Sequence, residues 1–321
     1  MNIIQKLDDL EKKLDLDKFK LKNENIWPVI RNYLGVKFEL ELACDNISYE
    51  IFAKSSKLTM LLHALYNIKD LLKLTKHFDV IFFTTKDDYK TNNDEVRNRF
   101  TYFIQKHYQK KRILEIQAGS KNLKTKSSNN VITIDYNLIL LIGFMLSKIY
   151  ILNKKVIQTE LNKLNLEINI SQTLKRYKAM SYIFSLIFKI TKPKLIFTTC
   201  YSYSYAVKSA NLLNIDTFEF QHGSVKNHFV YAIQNRVYDK YFPNHFFCFG
   251  YNDSRMLTNY NYIKNKQNIL PIGNSQIDFY SKTSNNDIIK LKDNFRLIIC
   301  VTMQWTTFDL LEDYIITPAK L

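Results

Sequence analysis

The sequence predicts an α/β fold, a Rossmann-type parallel sheet flanked by helices, and three observations carry that expectation. From Leu195 onward, short apolar runs alternate with helical stretches, as in a doubly wound sheet. Those runs are dense in β-branched and aromatic residues, the composition of strands buried on both faces. Gly223, Gly250 and Gly273 each follow such a run, where turns at the carboxyl edge of a parallel sheet fall. With 6 Gly and 5 Pro among 321 residues, a turn-rich all-β chain, a repeat array and disorder are all disfavoured.

The elements follow in chain order. Residues 1–45 read as amphipathic and helical, within a helical segment expected over 1–76. Asn25 is placed to cap the helix that begins near Ile26-Trp-Pro, and Pro28 is tolerated in a first turn. A second amphipathic helix is expected over 57–76. Phe78–Thr84 is a buried strand and opens a Rossmann-like region, 77–280. A polar loop (Lys86 to Glu95) and a helix near Val96–His107 come next. Strands are expected at Arg112–Gln117 and Val131–Asp135, separated by the Ser/Lys/Asn-rich stretch 120–130. Helices over 137–152 and 171–190 follow, with Ser171 a candidate cap for the second. Then come strand Leu195–Thr199, helix Ser204–Leu213, strands Thr217–Gln221 and His245–Phe249, helix Ser254–Tyr260 and strand Asn268–Ile272. Residues 281–294 read as a linker, and Phe295–Thr302 opens a fresh strand. A second domain of ordinary size needs roughly 100–150 residues, so 295–321 is expected to be the start of a truncated one.

Composition narrows the function classes. Hydrophobic residues make up 46% and aromatics 14%, with 22 Phe and 21 Tyr, enough for a large core. The formal net charge of +16 favours polyanionic partners. The lysines are scattered, and no RNA-binding signature, zinc finger or basic zipper accompanies them. No specific nucleic-acid partner is therefore expected; an anionic membrane surface, or nucleotide-sugar and lipid-phosphate chemistry, fits better. Cys44, Cys200, Cys248 and Cys300 are widely separated, without a CxxC pair or metal spacing, and read as reduced thiols with no metal. The charged N-terminus is no signal peptide. The longest apolar run, Leu138 to Leu146, falls far short of the ~20 residues that span a bilayer. A cytoplasmic location, peripheral at the inner face of the plasma membrane, is the expectation. Neither GxGxxG nor GxxxxGK is found, against dehydrogenase, kinase and ATPase readings.

The most informative stretch is Thr217-Phe-Glu-Phe-Gln-His-Gly-Ser224. Side chains alternate along a strand, so Phe218 and Phe220 point one way and Glu219 and Gln221 the other. A Glu and a Gln near the end of a buried parallel strand need a reason, and ligands of open α/β sheets bind just beyond those ends. His222 and Gly223 fall there, and glycine lets the backbone approach a ligand. His228 and Tyr231 are placed to line a groove, and Lys226 to meet a phosphate. Asn274, Gln276 and Asp278, after the Gly273 turn, either cap the next helix or face the cleft. Tyr201, Tyr203 and Tyr205 form a sugar platform or pack in the core. The plainer reading has His222 closing its strand with a local hydrogen bond and the loop residues simply solvated. His63, His77 and His107 read as structural.

Glu219-Phe-Gln-His-Gly223, with Tyr241-Phe-Pro243, Phe249-Gly250 and Pro271-Ile-Gly-Asn274, resembles the N-terminal half of GT-B glycosyltransferases, most closely the bacterial enzymes of capsule and lipopolysaccharide synthesis. Ile26-Trp27-Pro28 with Arg31 is similar to their opening segment. Ile272-Gly-Asn-Ser-Gln-Ile-Asp278 is similar to an element of UDP-N-acetylglucosamine 2-epimerases, which share the architecture. The resemblance spans most of residues 20–280. It implies a GT-B-like fold and transfer of a sugar from a nucleotide-sugar, bound as substrate without a further cofactor, to a lipid-linked glycan acceptor. His222 or Glu219 would be the base. Gln221, Gly223, Lys226, His228, Tyr231, Asn274 and Asp278 would contact substrate. GT-B enzymes hold the donor mostly through the C-terminal domain, so a non-catalytic acceptor half that needs a partner chain is an alternative. A nucleotide-sugar epimerase or hydrolase is another.

Overall fold

Among the described residues, seven strands, apolar enough to require cover on both sides, pair in parallel into one sheet. They are β3 (Val80–Thr85), β6 (Ile113–Ala118), β7 (Val131–Asp135), β8 (Leu195–Thr198), β9 (Asp216–Phe220), β10 (His245–Cys248) and β11 (Ile269–Pro271), in the order β11-β10-β9-β8-β3-β6-β7. Every neighbouring pair is parallel. The chain steps outward from β3 through β6 to β7, then returns to β8 on the other side of β3. That reversal of strand order is the place where open α/β sheets bind ligands. The computed structural model describes residues 3–21, 23–44, 66–85, 89–92, 95–98, 100–108, 110–118, 131–151, 155–163, 170–226, 228–235 and 239–274. By contact the chain divides after Ser275, and all the described elements belong to Met1–Ser275. The expected linker 281–294, the strand from Phe295, Gln276, Asp278, His63 and the side chains of Cys44 and Cys300 lie outside the described residues.

Helices α1 (Ile3–Lys13) and α2 (Trp27–Cys44) flank a small antiparallel pair, β1 (Lys20–Leu21) and β2 (Glu24–Asn25). Asn25 caps α2 as expected: its Oδ1 accepts from the Trp27 amide at 2.8 Å. Glu24 reaches the main body, accepting from Lys178, Lys208 and the Tyr241 hydroxyl. One sheet face is covered by α4 (Tyr136–Ile149), α6 (Ser171–Thr191) and α7 (Ser204–Leu212), joined in a core of Phe83, Ile116, Phe184 and Ile187. Between α4 and α6 runs the short α5 (Lys155–Asn162). The other face carries Val80, Phe82, Phe197 and Phe220 beneath Phe100 and α3 (Tyr102–His107). The last described helix, α8 (Tyr251–Thr258), links β10 to β11.

Several expectations need correction. The loop expected over 86–95 and the helix over 96–107 contain instead an antiparallel pair, β4 (Tyr89–Asn92) and β5 (Glu95–Asn98). Asn98 ends β5 by accepting from the Phe100 and Thr101 amides at 2.9 and 3.0 Å, so a helix starts only at Tyr102. Within the expected helix 57–76 the described part, Ile68–Thr75, is a 3-10 helix, and Lys73 pairs with Asp70 at 2.7 Å across the three-residue turn that such a helix makes. Helix α6 begins at Ser171 itself, with buried Ile170 in the cap position and no side-chain cap bond from it. Helix α8 starts three residues before the expected Ser254. Gly250 has extended backbone that any residue adopts, unlike Gly223 and Gly273, whose φ values are +106° and +82°.

Candidate functional site

Strand β8 pairs with both β3 and β9, so its carboxyl end lies between the reversal of strand order and the end of β9. Glu219, next to last in β9, is paired with Thr198 of β8 and Phe246 of β10. It is 1% exposed. Tyr262, brought in from the loop after α8, donates its hydroxyl to Glu219 Oε2 at 2.7 Å. The Tyr231 ring is wedged between Phe246 and Tyr262, with centroids 5.4 and 5.1 Å away. Burial raises the Glu219 pKa to about 8, against the opposing pull of the Tyr262 and Tyr231 hydroxyls. Even so, Glu219 Oε1 and Tyr231 Oη are buried without a hydrogen-bond partner of ordinary geometry. A carboxyl in this setting holds its proton at neutral pH and keeps one oxygen uncommitted. The same burial, with the Glu219 charge, pushes the Tyr231 and Tyr262 phenols far above their ordinary range.

Above this buried layer sits the exposed turn. His222 is exposed, its ring 5.9 Å from that of Phe100. Its backbone lies by the Tyr231 hydroxyl. Nothing stands within 4 Å of the position a Gly223 Cβ would take, so the glycine serves the backbone angle and leaves the turn open. Gln221 is buried and committed: its Nε2 donates to Gly223 O and its Oε1 accepts from the Phe249 amide, both at 2.8 Å. It binds the end of β9 to the end of β10. His228 is half-buried; its Nδ1 accepts from the Val230 amide at 3.3 Å, and its ring meets those of Tyr201 at 5.6 Å and Tyr231 at 5.3 Å. Burial, and then the neighbouring charge of His222, lower the His228 pKa. That imidazole is neutral at neutral pH, with one nitrogen already accepting.

The segment under these residues is fixed from α2. Arg31, buried, donates to Phe229 O at 2.6 Å and Ala232 O at 2.9 Å, while Nε meets Glu11 Oε1 at 2.9 Å. Trp27 Nε1 and Asn235 Nδ2 also donate to Glu11. A cavity of about 50 Å³ lies beside this clamp, lined among others by Trp27, Arg31, Tyr201 and Tyr262.

Of the sequence-predicted residues, Glu219, His222, His228 and Tyr231 come together at one edge. Tyr231 and Gln221 lie under the surface, and Lys226 is exposed on the same turn. Asn274 sits beyond the end of β11, with β10 between it and β9. Of the three tyrosines after β8, Tyr203 and Tyr205 pack on Phe83 and Phe184, and only Tyr201 borders the cluster. Sequence reasoning passed over Tyr262 and Cys200. Cys200 follows β8 at the same edge and bears on the Tyr201, Tyr231 and Tyr262 phenols. It also passed over another buried carboxylate, on the opposite sheet face: Glu115 of β6 accepts from Thr84 Oγ1 at 2.6 Å and from the Tyr89 hydroxyl. The signal was in view, since Glu115-x-Gln117 in a buried strand repeats Glu219-x-Gln221. Among the described residues no group of three His, Cys, Asp or Glu is arranged to hold a metal ion. No family model matches the chain, and no curated protein matches it.

Proposed function

We propose that the chain is a GT-B-type glycosyltransferase-like protein that moves a sugar from a nucleotide-sugar to a lipid-linked acceptor of a bacterial surface polysaccharide, capsule or lipopolysaccharide, at the cytoplasmic face of the membrane. The observation that carries this reading is the gathering of His222 and His228 over buried Glu219 at the carboxyl edge, next to the strand-order reversal. Glycosyl transfer by inversion needs a base at the acceptor hydroxyl while that oxygen attacks the anomeric carbon. The bond from that carbon to the nucleotide phosphate breaks, and the leaving phosphate needs positive or hydrogen-bonding neighbours. His222 is the base in this reading, because its imidazole is exposed where Glu219 is sealed. Glu219 acts from below as a positioning residue through Tyr231, whose hydroxyl lies by the His222 backbone. Lys226 meets the departing phosphate, and the rings of Tyr201 and His228 offer a face to a sugar.

A saturation-transfer NMR screen of the purified chain against UDP-, GDP-, CMP- and CDP-sugars tests this. The expected result is binding of one of them, with transfer to a lipid-linked acceptor lost in His222→Ala and reduced in Glu219→Gln. Binding of none would overturn the reading.

A further inference from the structure

We infer that the outward face of α4 and α6 is a docking surface for an anionic lipid bilayer. These two helices bury their inner faces in the core through Ile139, Ile183, Phe184 and Ile187. They pack along each other at Gly143, where Met180 and Ile183 close on the glycine. Their outer faces are apolar as well. Met145 is 63% exposed, Ile149 73%, and Ile151, just past the end of α4, 95%. On α6, Tyr182, Leu186 and Ile190 are exposed at four-residue spacing, which lines them along one side of the helix. Tyr182 is close enough to Tyr150 to help burial raise the Tyr150 pKa, so the two stripes adjoin. Contiguous exposed apolar surface of this kind marks an interaction site.

Charge identifies the occupant. Neither α4 nor α6 contains an Asp or Glu. Lys148, Arg176, Lys189 and Lys192 are exposed around the stripe. The Lys148 ammonium and the Arg176 guanidinium lie 4.8 and 5.6 Å from the Phe144 ring centroid, so cations sit directly against an exposed apolar ring of this surface. Apolar side chains between cations, with no carboxylate, complement acyl chains beneath anionic headgroups. Two copies meeting through this face would set like charges against each other. No described helix is long and apolar enough to cross a membrane, so the face lies on the bilayer. Helix α6 leads into the amino end of β8, so its stripe lies toward the sheet edge opposite Glu219. Docking therefore leaves the candidate site open to solvent, and the inference stands apart from the reaction proposed there.

Flotation of the full chain with mixed phosphatidylglycerol–phosphatidylcholine vesicles, compared with pure phosphatidylcholine, tests the surface. The expected result is flotation with the anionic vesicles only, weakened by salt. An interfacial basic side chain contributes about fivefold to binding, so Lys148→Glu with Lys189→Glu is expected to lower it at least about tenfold. Ile149→Glu with Leu186→Glu is expected to do the same, as is Ile151→Asp, whose side chain is too exposed to support the fold. Absence of flotation by the wild type, flotation unchanged in all three variants, or loss of a dimer in size-exclusion chromatography with flotation intact would each overturn the inference.

Discussion

Burying a carboxyl group as completely as Glu219 has a cost that depends on pH, and the direction can be worked out. Its pKa is about 8 in the folded protein and near the ordinary 4.5 when unfolded. Between those values the folded state binds the extra proton, so stability falls as pH rises through that window and levels off above it. Three or so pKa units correspond to on the order of 4 kcal/mol. Glu219→Gln removes the ionisation and leaves a similar shape. Thermal unfolding of the two proteins should therefore differ little at pH 5, with the variant the more stable at pH 8; equal curves at both pH values would refute the assignment. Arg31 makes a different case, a buried charge held by an ion pair and two carbonyls. Removing it by Arg31→Ala leaves Glu11 buried without its cation and the Phe229 and Ala232 carbonyls without their donor. The expected loss is about 3–5 kcal/mol by denaturant unfolding, and a loss below about 1 kcal/mol would show that water replaces the guanidinium.

At the level of elements, two helix glycines with the same apparent crowding should respond differently. A Cβ at Gly35 or Gly143 would fall 2.2 Å from its nearest neighbour, the Phe229 ring in one case and the Met180 sulfur in the other. The Phe229 ring is fully packed beneath the site and has nowhere to go, so Gly35→Ala should cost about 1–2 kcal/mol after its gain in helix propensity. The thioether of Met180 adapts, so Gly143→Ala should be neutral or up to about 1 kcal/mol stabilising. Denaturant midpoints of the pair check the contrast, and equal shifts would contradict it. Gly223, at φ +106°, belongs to the turn itself, and Gly223→Ala should lose about 1–3 kcal/mol to backbone strain. The alternation from Leu195 to Ile272 was legible because each strand and helix there carries its own local pattern, and Val131–Asp135 was read residue for residue. Glu219, Gln221 and His222 were legible for the same reason, lying on one strand and its turn. The β4–β5 pair was hidden because a single side chain, Asn98, decides where helix begins. Tyr262 and the Arg31 clamp were hidden because their partners lie 43 and about 200 residues away, and a contact over such separations leaves no periodic trace in the sequence.

Taken as a whole, the described residues carry two distinct surfaces. The titratable cluster occupies the carboxyl edge of the parallel sheet, and the exposed apolar and basic residues of α4 and α6 lie on the outer side of the helices that cover the same sheet face. The chain has 6 histidines, few enough for their ring signals to be resolved individually by NMR. That makes the central claim, that the His222–His228 edge is where substrate binds, directly measurable. Histidine ring signals, assigned by single His→Ala variants, would be followed while a nucleotide-sugar is added. Saturable shifts of His222 and His228, with His77 and His107 unmoved, are the predicted result. Rings at the β9 turn that stay still under every nucleotide-sugar would contradict the account.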